Sequence, residues 1–227
     1  HKYAITDPCL TPKAAVIDAE LTVGMPPFIT ATTGVDALTH AVESYVTCMY
    51  NNDFTNRNCE EAVVAIFKYL DRAYNDPNDM EARDGMLTAS YKAGLAFTRT
   101  GVGYVHGIAH ALGGLYNTAH GLANSVILPI VLEDYGECVY PKLARLAEIT
   151  GIKTDGSEAE RARAFIAAIR AMNKRLGLPT GFDFIKPEDY ETIAKWALAE
   201  TNVNYPVPVL YDRTRLWHVL NRIVLEA

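Results

Sequence analysis

No run of about 18 uncharged apolar residues, the length needed to cross a bilayer, occurs in this chain. Its start has no basic stretch leading into a short apolar segment, so no secretory leader is expected. Basic surface is scarce too. Lysine and arginine number 21 against 27 aspartates and glutamates, a formal net charge of -6, and no basic run alternates with aromatics. That balance argues against a nucleic-acid partner. The four cysteines, Cys9, Cys48, Cys59 and Cys138, form no C-x-x-C pair, which removes zinc ribbons and redox dithiols. In a chain of 227 residues they are expected to be reduced, buried thiols of a soluble cytoplasmic protein. Internal repeats and low-complexity tracts are absent as well. With 49% hydrophobic and 21% charged residues, the chain has the composition of an ordinary folded domain.

What is present is mostly helical pattern. Residues 1–23 are the exception. Tyr3-Ala4-Ile5-Thr6 and Ala14-Ala15-Val16-Ile17 are short β-prone runs separated by Asp7-Pro8 and Thr11-Pro12. Two strands make no stable sheet alone, so this segment reads as a hairpin left from a sheet whose other strands lie elsewhere. Met25-Pro26-Pro27 marks a boundary, and residues 24–227 read as an all-α domain of eight or nine helices. Thr32-Thr33-Gly34 is placed as the cap of a helix over 35–46, and Asp53 as the cap of the next. A third helix covers 80–98. Asn117-Thr118 caps a helix running towards Pro129, and Pro141 opens one ending near Gly151. Ser157 with Glu160 three residues on is a capping box. Pro187 and Asp212 begin the last two helices.

Three of the six histidines, His106, His110 and His120, fall within fifteen residues of apolar and glycine-rich sequence. Asp36 and His40 stand four apart on a helix, and so do His106 and His110, so each pair shares a helix face. Gly113-Gly114 lets the backbone turn so that a later helix can return His120 towards the same point. Three imidazoles with one carboxylate suit zinc or ferrous iron. Taken singly, Asp36 with His40 is equally an exposed ion pair, and a lone His106 is better read as a hydrogen-bonded core residue. Clustering favours the metal. His218 is isolated and reads as a surface or capping residue. Gly101-Val102-Gly103 lacks the preceding strand and third glycine of a dinucleotide-binding turn.

Thr33-Gly34-Val35-Asp36-Ala37-Leu38-Thr39-His40-Ala41-Val42-Glu43 closely resembles one signature of the iron-containing (group III) alcohol dehydrogenase family. His106-Gly107-Ile108-Ala109-His110, Tyr116-Asn117-Thr118-Ala119-His120-Gly121 and Ala123-Asn124 resemble its second signature. The resemblance implies the helical metal-binding domain of the dehydroquinate-synthase-like type, without the α/β nucleotide-binding domain that precedes it in the family. Residues 1–23 would be the last strands of that domain. It further implies Asp36, His40, His106 and His120 as metal ligands for Fe2+ or Zn2+. His110 would lie near cofactor and substrate and carry the proton, and Lys2 would approach the ribose of NAD(P). Ala111 departs from the proline that many members carry after the second histidine.

The activity so implied is metal-assisted hydride transfer between a small alcohol and its aldehyde or ketone, in a dimer or larger homo-oligomer. This chain alone, lacking the phosphate-binding loop, is expected to be inactive. Two other classes compete. A metal-dependent phosphohydrolase on a helical scaffold needs a His-Asp dipeptide, which is absent. A non-catalytic metal-binding or dimerisation module would have the same ligands.

Overall fold

Pro27 sets where the body of the molecule begins. A proline fits the first position of a helix, where an amide hydrogen has no intrahelical partner. In the computed structural model, which describes residue 5 and residues 7–225, helix α1 accordingly runs Pro27–Val46. It starts well before the expected cap at Thr32-Thr33. Those hydroxyls fold back on their own helix instead: Thr32 donates to the Phe28 carbonyl at 2.9 Å and Thr33 to that of Ile29 at 2.7 Å.

Eight further α-helices follow among the described residues: α2 (Asp53–Asn75), α3 (Met80–Thr100), α4 (Tyr104–Tyr116), α5 (His120–Tyr135), α6 (Tyr140–Ile149), α7 (Glu158–Arg175), α8 (Tyr190–Asn204) and α9 (Arg213–Ile223). The cap of α2 is Asn52 rather than Asp53. Asn52 accepts the Thr55 amide through its side chain, and Thr55 Oγ1 accepts the Asn52 amide in return. The Ser157–Glu160 box on α7 and the Asp212 cap on α9 form as read. Helix α5 passes through Pro129 instead of stopping near it. Proline leaves the Ser125 carbonyl without its usual helical donor, and Asn173 of α7 supplies one through its side-chain amide at 2.6 Å.

The described residues form no strand; their only ladder contact is an isolated parallel bridge between Phe182 and Val224. The hairpin expected over residues 1–23 is therefore not formed where it can be seen. Ala14 to Ile17 has no pairing partner and is exposed, Val16 at 95%, while Pro8–Leu10 and Ala19–Thr22 are short 3-10 turns. An unpaired β-prone run has no ladder to hold it as a strand. Tyr3, Ala4 and Thr6 lie outside the described residues. The thiols depart from expectation as well: Cys59 is buried, but Cys9, Cys48 and Cys138 are exposed, all four free. No helix of the described residues is long and apolar enough to cross a membrane.

Helix α1 is buried along most of its length. It packs on α2, α3 and α5, while α4 is clasped between α5 and α8. One apolar core continues from these helices into α7 and α9. The middle of α1 and the facing ends of α4 and α5 thus meet inside the molecule, and the histidines lie at that meeting.

Candidate metal centre

Two close helix approaches and one turn bring the polar side chains together. Helix α4 ends on Asn117 in the left-handed conformation (φ 55°), which asparagine tolerates better than most residues. The chain reverses there and α5 opens with His120. A β-carbon at Gly121 would sit 2.2 Å from the Thr32 carbonyl oxygen. Only glycine lets the start of α5 lie so close to α1, and this closeness carries His120 to Asp36. A β-carbon at Gly107 would sit 2.2 Å from Thr201 Oγ1, so α4 lies equally tightly on α8. That second approach carries His110 to Glu200.

One donor atom each from Asp36, His106 and His120 lies within 4.8 Å of the other two. Asp36 Oδ1 stands 3.6 Å from Nε2 of His106 and 3.6 Å from Nε2 of His120. Donors bound tetrahedrally at about 2.1 Å stand about 3.4 Å apart, so these separations fit a single zinc or ferrous ion. The electrostatics fit it too. Glu43, 2% exposed at its side chain, accepts the His106 Nδ1 proton at 2.6 Å and the Val105 amide at 2.8 Å. A carboxylate on Nδ1 leaves Nε2 of the same ring to face the cluster. Glu43 also lies at the amino end of α4, where a negative charge is favoured and the N-cap residue Gly103 offers no side chain.

Two acidic groups in this interior call for positive charge. Burial alone would lower the His106 pKa, but the carboxylates of Asp36 and Glu43 outweigh it and push it up to about 9. Burial would raise Asp36, yet His106 and the other neighbouring imidazoles hold it well below the usual carboxylate range. A proton on His106 and a cation among the three donors answer the same demand.

Asp36, His106 and His120 are thus brought together. His40 is beside them, but no donor atom of its ring joins the group. Its ring is stacked between Phe97 and His106, with centroids 4.3 and 4.4 Å away, and burial with the adjacent His106 lowers its pKa to about 3. His110 is held elsewhere. Its Nδ1 lies 2.7 Å from Glu200 Oε1, an oxygen that also accepts the Tyr205 hydroxyl at 2.8 Å, and its ring stacks over His120 at 5.1 Å. Lys2 lies outside the described residues. His218 is exposed on α9, as its isolation suggested.

Three participants escaped the sequence reading: Glu43, Asn124 and Glu200. Two had a signal. Asp36, His40 and Glu43 continue one helical stripe at spacings of four and three, and Asn124 follows His120 by four. Glu200, ninety residues beyond its partner, had none.

The model of the Fe-containing alcohol dehydrogenase family, C-terminal part, matches residues 30–224. Alcohol dehydrogenase 4 of Saccharomyces cerevisiae (strain YJM789) is 39% identical over 199 residues, 87% of this chain and 51% of that protein. The NAD-dependent methanol dehydrogenase of Bacillus methanolicus is 38% identical over 216 residues, 93% of this chain and 56% of its own length. Among solved structures, 1,3-propanediol oxidoreductase superposes with a TM-score of 0.87 at 34% identity, covering 91% of this chain and 54% of that one. The chain spans about half the length of the curated relatives it matches.

Proposed function

Because the chain belongs to the iron-containing alcohol dehydrogenase family, we propose that it is the metal-binding part of an NAD(P)-dependent alcohol dehydrogenase that interconverts small alcohols with their aldehydes or ketones. The observation that carries this reading is the convergence of Asp36, His106 and His120 from three helices, with Glu43 behind His106. Names of relatives that act on methanol or 1,3-propanediol support a small substrate.

Asp36, His40, His106 and His120 would hold Fe2+ or Zn2+. When bound, such an ion supplies Lewis acidity to the alcohol or carbonyl oxygen. The protein's own groups do the rest. Asp36 offsets part of the ion's charge. Glu43 fixes the His106 tautomer. His110, beside His120 and anchored by Glu200, accepts the hydroxyl proton and passes it outward. By the family resemblance, Lys2 would contact the cofactor ribose. NAD(P) would be bound mainly by a companion α/β domain, of which residues 1–23 are the trailing end, and residues 24–227 are the helical domain.

Metal analysis of anaerobically purified protein tests this reading. One ion per chain is expected, and His120→Ala should lose most of it. Unchanged stoichiometry in that variant would show the ligands to be wrong. Rejoined to a companion nucleotide-binding domain, the protein should oxidise small alcohols with NAD(P). A loaded but inactive rejoined protein would leave only a metal-binding module.

A further inference from the structure

Glu200 does not hold His110 alone. Its Oε1 lies 2.7 Å from His110 Nδ1 and also accepts the Tyr205 hydroxyl at 2.8 Å. The side chains of His110 and Glu200 are each only 11% exposed. An ionised carboxylate only accepts, so the proton of this contact sits on His110 Nδ1. Nε2 then carries the lone pair, and no hydrogen bond from the described residues engages it.

Tyr205 reaches Glu200 because α8 has already ended. Residues five apart on a continuing helix do not face each other. Helix α8 stops at Asn204, however, and Tyr205 is extended (φ -121°, ψ 135°), as a residue before proline should be. Its ring can therefore fold back. The segment behind it is fastened on both sides. The Val207 amide donates to the Tyr205 carbonyl at 2.9 Å and the Cys48 amide to the Pro206 carbonyl at 3.1 Å, while the Cys48 thiol donates to the Val207 carbonyl at 3.3 Å. Burial together with the Glu200 carboxylate raises the Tyr205 hydroxyl above its ordinary value, so it stays a donor. A Glu200 side chain that turned away from His110 would leave that hydroxyl without its acceptor.

We propose that Tyr205 and Glu200 are paired positioning residues that fix His110 in its Nδ1–H tautomer and so reserve its Nε2 for the proton of the substrate hydroxyl. A free neutral imidazole carries its proton mainly on Nε2, the nitrogen that must be bare here. Without a partner on Nδ1 the ring would default to the wrong form. The purpose of the pair rests on the reading of His110 as proton acceptor in the preceding section.

The test reads the ring nitrogens directly, by long-range 1H–15N spectra of the 227-residue chain labelled with 15N-histidine, in mildly alkaline buffer with EDTA. The His110 signals are those lost in His110→Gln. The parent should show Nδ1–H at His110, and Glu200→Ala should show mainly Nε2–H. Glu200→Gln should keep Nδ1–H, because the Tyr205 hydroxyl selects the carbonyl oxygen for the place of Oε1. In Glu200→Gln with Tyr205→Phe nothing makes that selection, the NH2 can face Nδ1, and Nε2–H should appear beside Nδ1–H. These last two variants keep the volume of the site and carry the test if the alanine variant folds poorly. Nε2–H in the parent, an unchanged tautomer in Glu200→Ala, or a double variant indistinguishable from Glu200→Gln would overturn the proposal. So would full alcohol oxidation by a rejoined Glu200→Ala protein whose tautomer has changed. An inactive rejoined parent would instead overturn the reading of the preceding section and leave the pair, read by its tautomers, standing.

Discussion

Glu43→Gln separates the work of a carboxylate from the work of its shape. Glu43 is buried and takes two protons' worth of donors, the Val105 amide at 2.8 Å and His106 Nδ1 at 2.6 Å. Glutamine has one carbonyl oxygen and one NH2. If the oxygen stays on the Val105 amide, the NH2 faces Nδ1 of His106 and the ring must accept there. Its proton then moves to Nε2, the atom 3.6 Å from Asp36 Oδ1 that a metal needs bare. If the side chain turns the other way, His106 keeps its tautomer and the Val105 amide is buried against an NH2, a penalty of about 1–3 kcal/mol. The first outcome harms the metal site and the second costs stability, and both leave the volume of the core unchanged. In the presence of EDTA the melting temperature should fall by no more than about 12 °C, at about 2–4 °C per kcal/mol for a chain of this size. Metal affinity should fall by about 10- to 100-fold, the range found when the outer hydrogen-bond partner of a ligating histidine is removed. Melting scans with and without EDTA, combined with chelator competition, measure both. Parent-like affinity together with a parent-like melting temperature in Glu43→Gln would refute the argument that the carboxylate serves both the His106 tautomer and the Val105 amide.

Two further outcomes follow from particular contacts. Gly121→Ala puts a methyl group 2.2 Å from the Thr32 carbonyl oxygen, so α5 must withdraw from α1; a loss of about 1–3 kcal/mol is expected by thermal denaturation, and His120 should lose its place opposite Asp36, read as weakened metal binding. Burial raises the Cys59 thiol to about 11, so at pH 8 its reactive thiolate is a fraction on the order of 10⁻³, and iodoacetamide on the native protein should modify Cys9, Cys48 and Cys138 while sparing Cys59 by mass spectrometry.

The helical body was readable because its signals are local. Ser157 and Glu160 lie three residues apart, and the Asp212 cap acts on Arg215 just beyond it. The errors arose where a distant group changes the local rule. Pro129 should end a helix by its own chemistry, and does not because Asn173, far along the chain, takes over the carbonyl that the proline abandons. Thr32 and Thr33 have the composition of a cap, but the prolines upstream had already started α1, and inside a helix the same hydroxyls turn onto preceding carbonyls. The β-prone runs before residue 23 have strand composition, but the described ones are not strands: a strand is a property of two segments, and among the described residues no second segment pairs with them.

The site was legible to the extent that function required residues of one helix to face the same way. Asp36 and His40 share a face by spacing alone, and continuing the count by three residues reaches Glu43, whose role is fixed by the His106 it touches across the α1–α4 interface. Spacing could not reveal how differently the Asp36 carboxylate and the His40 ring are placed there. Asp36 lies opposite two Nε2 atoms, whereas His40 is held flat between Phe97 and His106, a position set by packing from α3 and α4. Nor could it reveal the glycines' part. Gly121 and Gly107 read as loop or packing residues, yet Gly121 faces the Thr32 backbone and Gly107 the Thr201 side chain at distances that leave no room for a β-carbon, and those two contacts set how His120 meets Asp36 and His110 meets Glu200. The donors of a metal centre are written as residue types, but their meeting point is written in the residues that have no side chain.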